Sequence, residues 1–123
     1  MLHTILKMVL AFGVGILAIN LLFGGRGDKK ANLPGLVKDG ALIVDTRTPG
    51  EFSNGHVQGA INIPYDIITG EIARHQPDPA RPIIVYCRSG NRSSQAKRSL
   101  MAAGYTNVVN AGSIGNMQRN MPK

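Results

Sequence analysis

Residues 82–94 read Pro82-Ile83-Ile84-Val85-Tyr86-Cys87-Arg88-Ser89-Gly90-Asn91-Arg92-Ser93-Ser94. A short, β-branched apolar run that stops abruptly at polar residues is the pattern of a strand buried on both faces. The turn Pro77-Asp78-Pro79 precedes it and the polar, Gly-containing segment from Arg88 to Arg92 follows it. Beyond that segment Ala96, Leu100 and Ala103 are spaced to face a sheet. Ser94 to Ala103 therefore reads as a helix, with Ser93 or Ser94 as its cap and Gly104 as its stop. Strand, tight turn and helix in this order are the repeating unit of a parallel sheet with crossover helices.

Working outward, three more runs have the same character: Ala41 to Asp45, Gly59 to Ile63 ending at Pro64, and Thr106 to Asn110 after Gly104. A helix-compatible stretch, Ile67 to His75, separates the second run from the third, and one helical turn around Leu36-Val37 ends at Gly40. The expected fold class is α/β, a small parallel sheet flanked by helices, over residues 33–123. The segment Gly24 to Asn32 has no apolar periodicity and reads as a flexible spacer, its linker proper being residues 26–32.

Before the spacer the chain changes character. From Met8 to Gly25 no residue is charged, and as a helix this run would cover roughly 27 Å, just enough to cross a bilayer. Residues 1–25 are read as a hydrophobic helix, either a transmembrane anchor or a signal sequence. The anchor is preferred because no small-x-small cleavage site is evident near its end. Arg26, Lys29 and Lys30 after the run argue for a cytoplasmic domain, whereas the short N-terminus ending in Lys7 argues for the opposite orientation.

Composition narrows the function classes. Only one cysteine is present, so no intramolecular disulfide can form, and with three scattered histidines no thiolate-rich zinc set can be assembled from one chain. No metal or cofactor is expected. The net charge of +7 favours anionic partners. Nucleic acid is not expected among them: the basic residues are dispersed, aromatics are 5% with no Trp, and several charges sit where acidic lipid headgroups would meet them.

Cys87 stands at the carboxyl end of the strand read as central, where open α/β sheets bind their ligands. Backbone N–H groups of the following turn, the positive end of the next helix and the cations Arg88 and Arg92 all favour a thiolate there. Such surroundings lower a thiol from its free value of about 8.5. Thiolate phosphatases place an Arg six positions after the Cys. Here that position is Ser93 and the Arg comes one residue earlier, so the shorter loop suits something smaller than phosphate, such as a single sulfur atom.

Several separated motifs now combine: Val44-Asp45-Thr46-Arg47, Glu51-Phe52, Gly55-His56-Val57, Gly59-Ala60-Ile61-Asn62-Ile63-Pro64 and Val85 to Ser93. Together they resemble a single-domain rhodanese, a sulfurtransferase, over essentially all of Leu33 to Lys123. Within that family Gly55 to Pro64, Ser94-Gln95-Ala96-Lys97 and Met121-Pro122-Lys123 look most like the phage-shock-protein-E type, a small exported thiosulfate sulfurtransferase. The resemblance implies a double displacement. Cys87 would take sulfane sulfur from thiosulfate or a similar small anionic donor, hold it as a persulfide, and pass it to a thiophilic acceptor, cyanide or a thiol. Cys87 is then the catalytic residue, and Arg88, Ser89, Gly90, Asn91, Arg92 and Ser93 form the substrate-binding loop. The likeness tips the expected localisation toward a single-pass anchor with a periplasmic domain; a cytoplasmic face and a secreted form stay open. The alternative function is a membrane-tethered persulfide carrier or sulfur-sensing module with little small-molecule turnover.

Other polar residues are given structural roles. The resemblance implies that Asp45 ties down neighbouring loops and that Arg47 reaches Glu51. His56 reads as a hydrogen-bonded turn residue and His75 as a charge-compatible helix end. One departure from the family stands out: Ala111-Gly112-Ser113-Ile114-Gly115-Asn116-Met117 lacks the tryptophan-bearing helix that walls many rhodanese sites, which implies a shallow, open pocket.

Overall fold

The computed structural model describes residues 27–123. The apolar stretch 1–25, read above as an anchor or signal, lies outside the described residues, and among these no helix is long and apolar enough to cross a membrane. The elements run α1 (Leu33–Lys38), β1 (Leu42–Asp45), α2 (Pro49–Ser53), β2 (Ile61–Asn62), α3 (Ile68–His75), β3 (Ile83–Cys87), α4 (Asn91–Ala102), β4 (Val108–Ser113) and α5 (Ile114–Arg119).

The four strands form one parallel sheet in the order β2-β1-β3-β4. Alternation along β3 divides the core. Ile83 and Val85 pack with Ile68, Ile72, Ala96 and Leu100 of α3 and α4 on one face. Ile84 and Tyr86 pack with Leu33, Ala111 and Met117 on the other, beneath α1 and α5. All five residues of β3 are buried, as a strand covered on both faces requires.

Local chemistry explains the short helices. Asn32 caps α1 by accepting from the Gly35 N–H, with Pro34 in the first turn. Thr48 and Glu51 form a reciprocal capping box at α2, again with a proline at the start. Neither α2 nor α5 stands out by apolar periodicity, because each is barely more than one turn long.

Several boundaries differ from the sequence reading. Helix α4 begins at Asn91, not Ser94: Gly90, at φ +100°, turns the chain and its carbonyl accepts the Ser94 N–H at 2.9 Å. Ser93 is therefore inside the first turn, with its hydroxyl facing inward. Ala103 ends the helix exposed, while Ala96 and Leu100 face the sheet as expected. The second strand shrinks to Ile61–Asn62, since Ala60 is still held in a turn by Val57. The fourth begins at Val108 and runs on through Ser113, past Asn110-Ala111-Gly112, a sequence with little strand character.

The segment read as a flexible spacer is, over Gly27–Asn32, laid against the edge strand β4. The Asp28 N–H donates to the Asn110 carbonyl at 2.6 Å, and its carboxylate accepts the Asn110 N–H at 2.9 Å and the Lys97 ammonium at 2.6 Å. Gly27 approaches so closely that a Cβ there would lie 2.7 Å from the Ala111 carbonyl carbon and oxygen.

Candidate active site

Cys87 is the last residue of β3, at the carboxyl end of the sheet, and is fully buried. The loop that follows curls back on its sulfur. The Gly90 N–H donates to Sγ at 2.9 Å and the Ser93 hydroxyl lies 3.4 Å from it. Only a residue without a side chain adopts φ +100° at Gly90 without strain, and that conformation aims the amide at the sulfur. Burial pushes the thiol pKa up. The Ser93 hydroxyl and the N–H groups of Ser93, Gly90 and Ser89 outweigh it, leaving Cys87 below the ordinary thiol value. The depression comes from hydrogen bonds; the cations contribute less than the sequence suggests.

The two arginines occupy different situations. Arg88 and Ser89 are exposed at the rim, as is Asn91. Arg92 turns to α2 and grips Glu51 through two contacts, Nη1 to Oε1 at 2.6 Å and Nη2 to Oε2 at 3.0 Å. Its guanidinium holds the Glu51 carboxyl down to about 2, against the cost of partial burial and with help from Thr48. Arg92 is thus neutralised by a carboxylate, and Arg88 forms no ion pair among the described residues.

Here the expected pairing of Arg47 with Glu51 is corrected. Arg47 instead closes on Asp45, with Nη2 to Oδ2 at 2.6 Å and Nε to both carboxylate oxygens, and also donates to the Gly55 carbonyl at 2.7 Å. Asp45 further accepts the Arg47 N–H and the Tyr86 hydroxyl, which itself accepts from Val57 N–H. This buried network ties β1, β3 and the loop before β2 together, the loop-fixing role expected of Asp45. Desolvation raises the Tyr86 pKa, so its hydroxyl stays a donor. His56 bonds the Phe52 carbonyl at 2.8 Å and stacks on the Phe52 ring, a structural turn residue; His75 closes the last turn of α3.

Behind the sulfur stands Asn110, which the sequence reading did not single out. The register of β4 against β3 slips between Val85 and Tyr86: Val85 faces Asn110 but Tyr86 faces Gly112, leaving Ala111 over as a bulge. The bulge swings the Asn110 side chain to Ser93, Oγ to Oδ1 at 2.7 Å. An amide within an otherwise apolar run, with Gly112 two residues further on, is the signal that could have marked it.

The thiol itself is covered, Cys87 being 0% exposed. A cavity of about 450 Å³ opens to one side instead, lined by Asp28, Lys29, Ser89, Ser113, Asn116 and Asn120 among others. In the place of a tryptophan wall, α5 buries Met117 under the sheet.

With this geometry in hand, comparison with known proteins is informative. A model of the rhodanese-like domain matches residues 30–114. Thiosulfate sulfurtransferase PspE of Escherichia coli is 38% identical over 112 residues, covering 91% of this chain and 96% of that protein. The chloroplastic thiosulfate sulfurtransferase 16 of Arabidopsis thaliana is 40% identical over 83 residues, 59% of this chain and 69% of its own. Among solved structures, a rhodanese with anions from E. coli superposes with a TM-score of 0.63 at 41% identity, covering 67% of this chain and 94% of that one. The human single-domain sulfurtransferase TSTD1 gives 0.62 at 28% identity, covering 71% and 89%.

Proposed function

The chain belongs to the rhodanese-like domain family, and from that premise we propose that it is a thiosulfate sulfurtransferase working through a persulfide on Cys87. The observation that carries this reading is the convergence of the Gly90 N–H and the Ser93 hydroxyl on one buried sulfur. Such a cradle favours an anion on sulfur and holds it ready without a strong general base.

The Cys87 thiolate attacks the outer sulfur of thiosulfate. The sulfur–sulfur bond of the donor breaks, and sulfite leaves with the electron pair. The loop N–H groups of Ser89, Gly90 and Ser93 face the resulting persulfide. Arg88, exposed at the rim, draws in the dianionic donor. Arg92, bound to Glu51, braces the loop against α2. Cyanide or a thiol then attacks the outer sulfur, takes it, and returns the electron pair to Cys87. The match to PspE over nearly its whole length supports thiosulfate as donor. The uncharged run before Arg26 supports a membrane tether, and the likeness to a small exported sulfurtransferase supports a domain on the periplasmic side; resistance of the protein to alkaline extraction from membranes is the expected sign of the tether.

The test is thiocyanate formation from thiosulfate and cyanide by the wild type and Cys87→Ser. Turnover on the order of 10⁴ M⁻¹s⁻¹ or better, lost in the variant, is expected. Turnover that survives in Cys87→Ser would overturn the assignment, and negligible turnover by the wild type would favour a persulfide carrier.

A further inference from the structure

Resting on the sulfur-transfer reading above, we propose that Asn110 is a positioning residue for Cys87 that acts through Ser93, competing with the sulfur for a single hydroxyl proton. The Ser93 hydroxyl is within reach of three acceptors: Asn110 Oδ1 at 2.7 Å, the Gly90 carbonyl at 3.1 Å and Cys87 Sγ at 3.4 Å. It has one proton to give. Ser93, Asn110 and Cys87 are all buried, so the choice among these acceptors is made within the protein.

The amide of Asn110 is held in one orientation. Its Oδ1 accepts the Gly112 N–H at 2.8 Å and its Nδ2 faces the Gly90 carbonyl at 3.4 Å, so a flipped amide would set donor against donor. The bulge at Ala111 creates this arrangement, and the Asp28 carboxylate pins the Asn110 backbone from the opposite side. Strand packing alone has no use for an amide here.

The competition follows the charge on the sulfur. In the free thiolate the charge sits on Sγ and draws the Ser93 proton. In the persulfide the charge moves to the outer sulfur, Sγ is neutral, and the shorter contact to Asn110 Oδ1 wins. When the acceptor attacks the outer sulfur, the bond to Sγ breaks and its electron pair returns to Sγ. The hydroxyl swings back to the leaving thiolate, and no proton leaves Ser93. The charged groups around this cluster are the Arg92–Glu51 pair, the Asp45–Arg47 pair, Arg88 on the loop and the Asp28–Lys97 pair behind Asn110. All are retained in the variants below.

The experiment is the pH dependence of Cys87 alkylation by iodoacetamide in the wild type, Asn110→Ala, Ser93→Ala and the double variant. Freeing the hydroxyl from Asn110 is expected to lower the midpoint by about half a pH unit, and Ser93→Ala to raise it by a similar amount. In the Ser93→Ala background the Asn110 change is expected to have no effect. A midpoint that rises in Asn110→Ala, or a shift that persists without Ser93, would mean that Asn110 only holds the loop and would overturn the proposal. Should Asn110→Ala fail to fold, Asn110→Asp read with and without Ser93 decides: a carboxylate that retains the Ser93 proton must raise the midpoint further in the presence of Ser93 than in Ser93→Ala, and an equal rise in both, the repulsion of the new charge alone, would overturn the proposal. Alkylation needs no sulfur donor. A wild type that forms no persulfide would therefore strike the sulfurtransferase reading alone, while these midpoints still decide the role of Asn110.

Discussion

Arg92 and Glu51, 41 residues apart, meet through both terminal guanidinium nitrogens and both carboxylate oxygens, at 2.6 and 3.0 Å. The pair locks the first turn of α4, which carries the cysteine loop, to the start of α2. Because the contact is bidentate and only about a third exposed on each side (27% and 31%), it keeps more strength than an open surface pair.

Glu51→Gln tests that lock while keeping the capping box, since Gln serves as well as Glu at that position. The expected loss is about 1–2 kcal/mol of stability, several degrees in Tm, read by thermal or urea unfolding. The sign with pH is also determined. The Glu51 carboxyl titrates near 2 when folded and at about 4.3 when unfolded. Its contribution is complete above the higher value and is lost as pH falls toward 2. Wild type should therefore lose stability over that window in excess of Glu51→Gln; parallel curves would contradict the assignment.

Cys87 should react as a low-pKa thiol. Its alkylation rate is expected to level off at a midpoint below the free-cysteine value of about 8.5, because hydrogen bonds to Sγ outweigh burial. Gly90→Ala should move the midpoint upward and cost about 1–2 kcal/mol, since it forces a side chain into the left-handed region at φ +100° and displaces the amide that faces the sulfur. A midpoint unchanged by Gly90→Ala would show that this amide does not set the thiolate.

The docked segment before α1 yields a separate test. Gly27→Ala places a Cβ 2.7 Å from the Ala111 carbonyl carbon and oxygen, which backbone cannot yield easily, and Asp28→Ala removes the acceptor for Lys97 and the Asn110 N–H. Either change is expected to raise amide exchange over residues 27–32 at least tenfold relative to wild type, a weakening of about 1.4 kcal/mol or more. Unaltered exchange would contradict the clip.

Much of this was legible before any coordinates. The β3 run, the polar turn and the helix behind it located Cys87 at the carboxyl end of a parallel sheet because burial on both faces leaves a short, unbroken apolar signature. What stayed hidden has physical reasons. Helices α2 and α5 are too short for periodicity to register, although Thr48-Pro49-Gly50-Glu51 is a readable cap. Arg92 lies in the first turn of α4, beside the cysteine loop, but its carboxylate partner was not legible: which carboxylate, Asp45 or Glu51, meets which arginine depends on where three loops converge. The bulge at Ala111 arises from a one-residue mismatch between two strands, and no single strand's pattern reveals that, so Asn110 went unnoticed. The docking of Gly27–Asn32 depends on one carboxylate bridging an edge strand and α4, which a Gly- and Lys-rich composition disguises.

The most direct measurement is the intact mass of the purified protein after brief exposure to thiosulfate, beside Cys87→Ser treated alike. Wild type is expected to gain one sulfur atom and lose it again on addition of cyanide, while the variant gains none. A wild type that takes up no sulfur, or a variant that takes it up equally, would contradict a persulfide on Cys87.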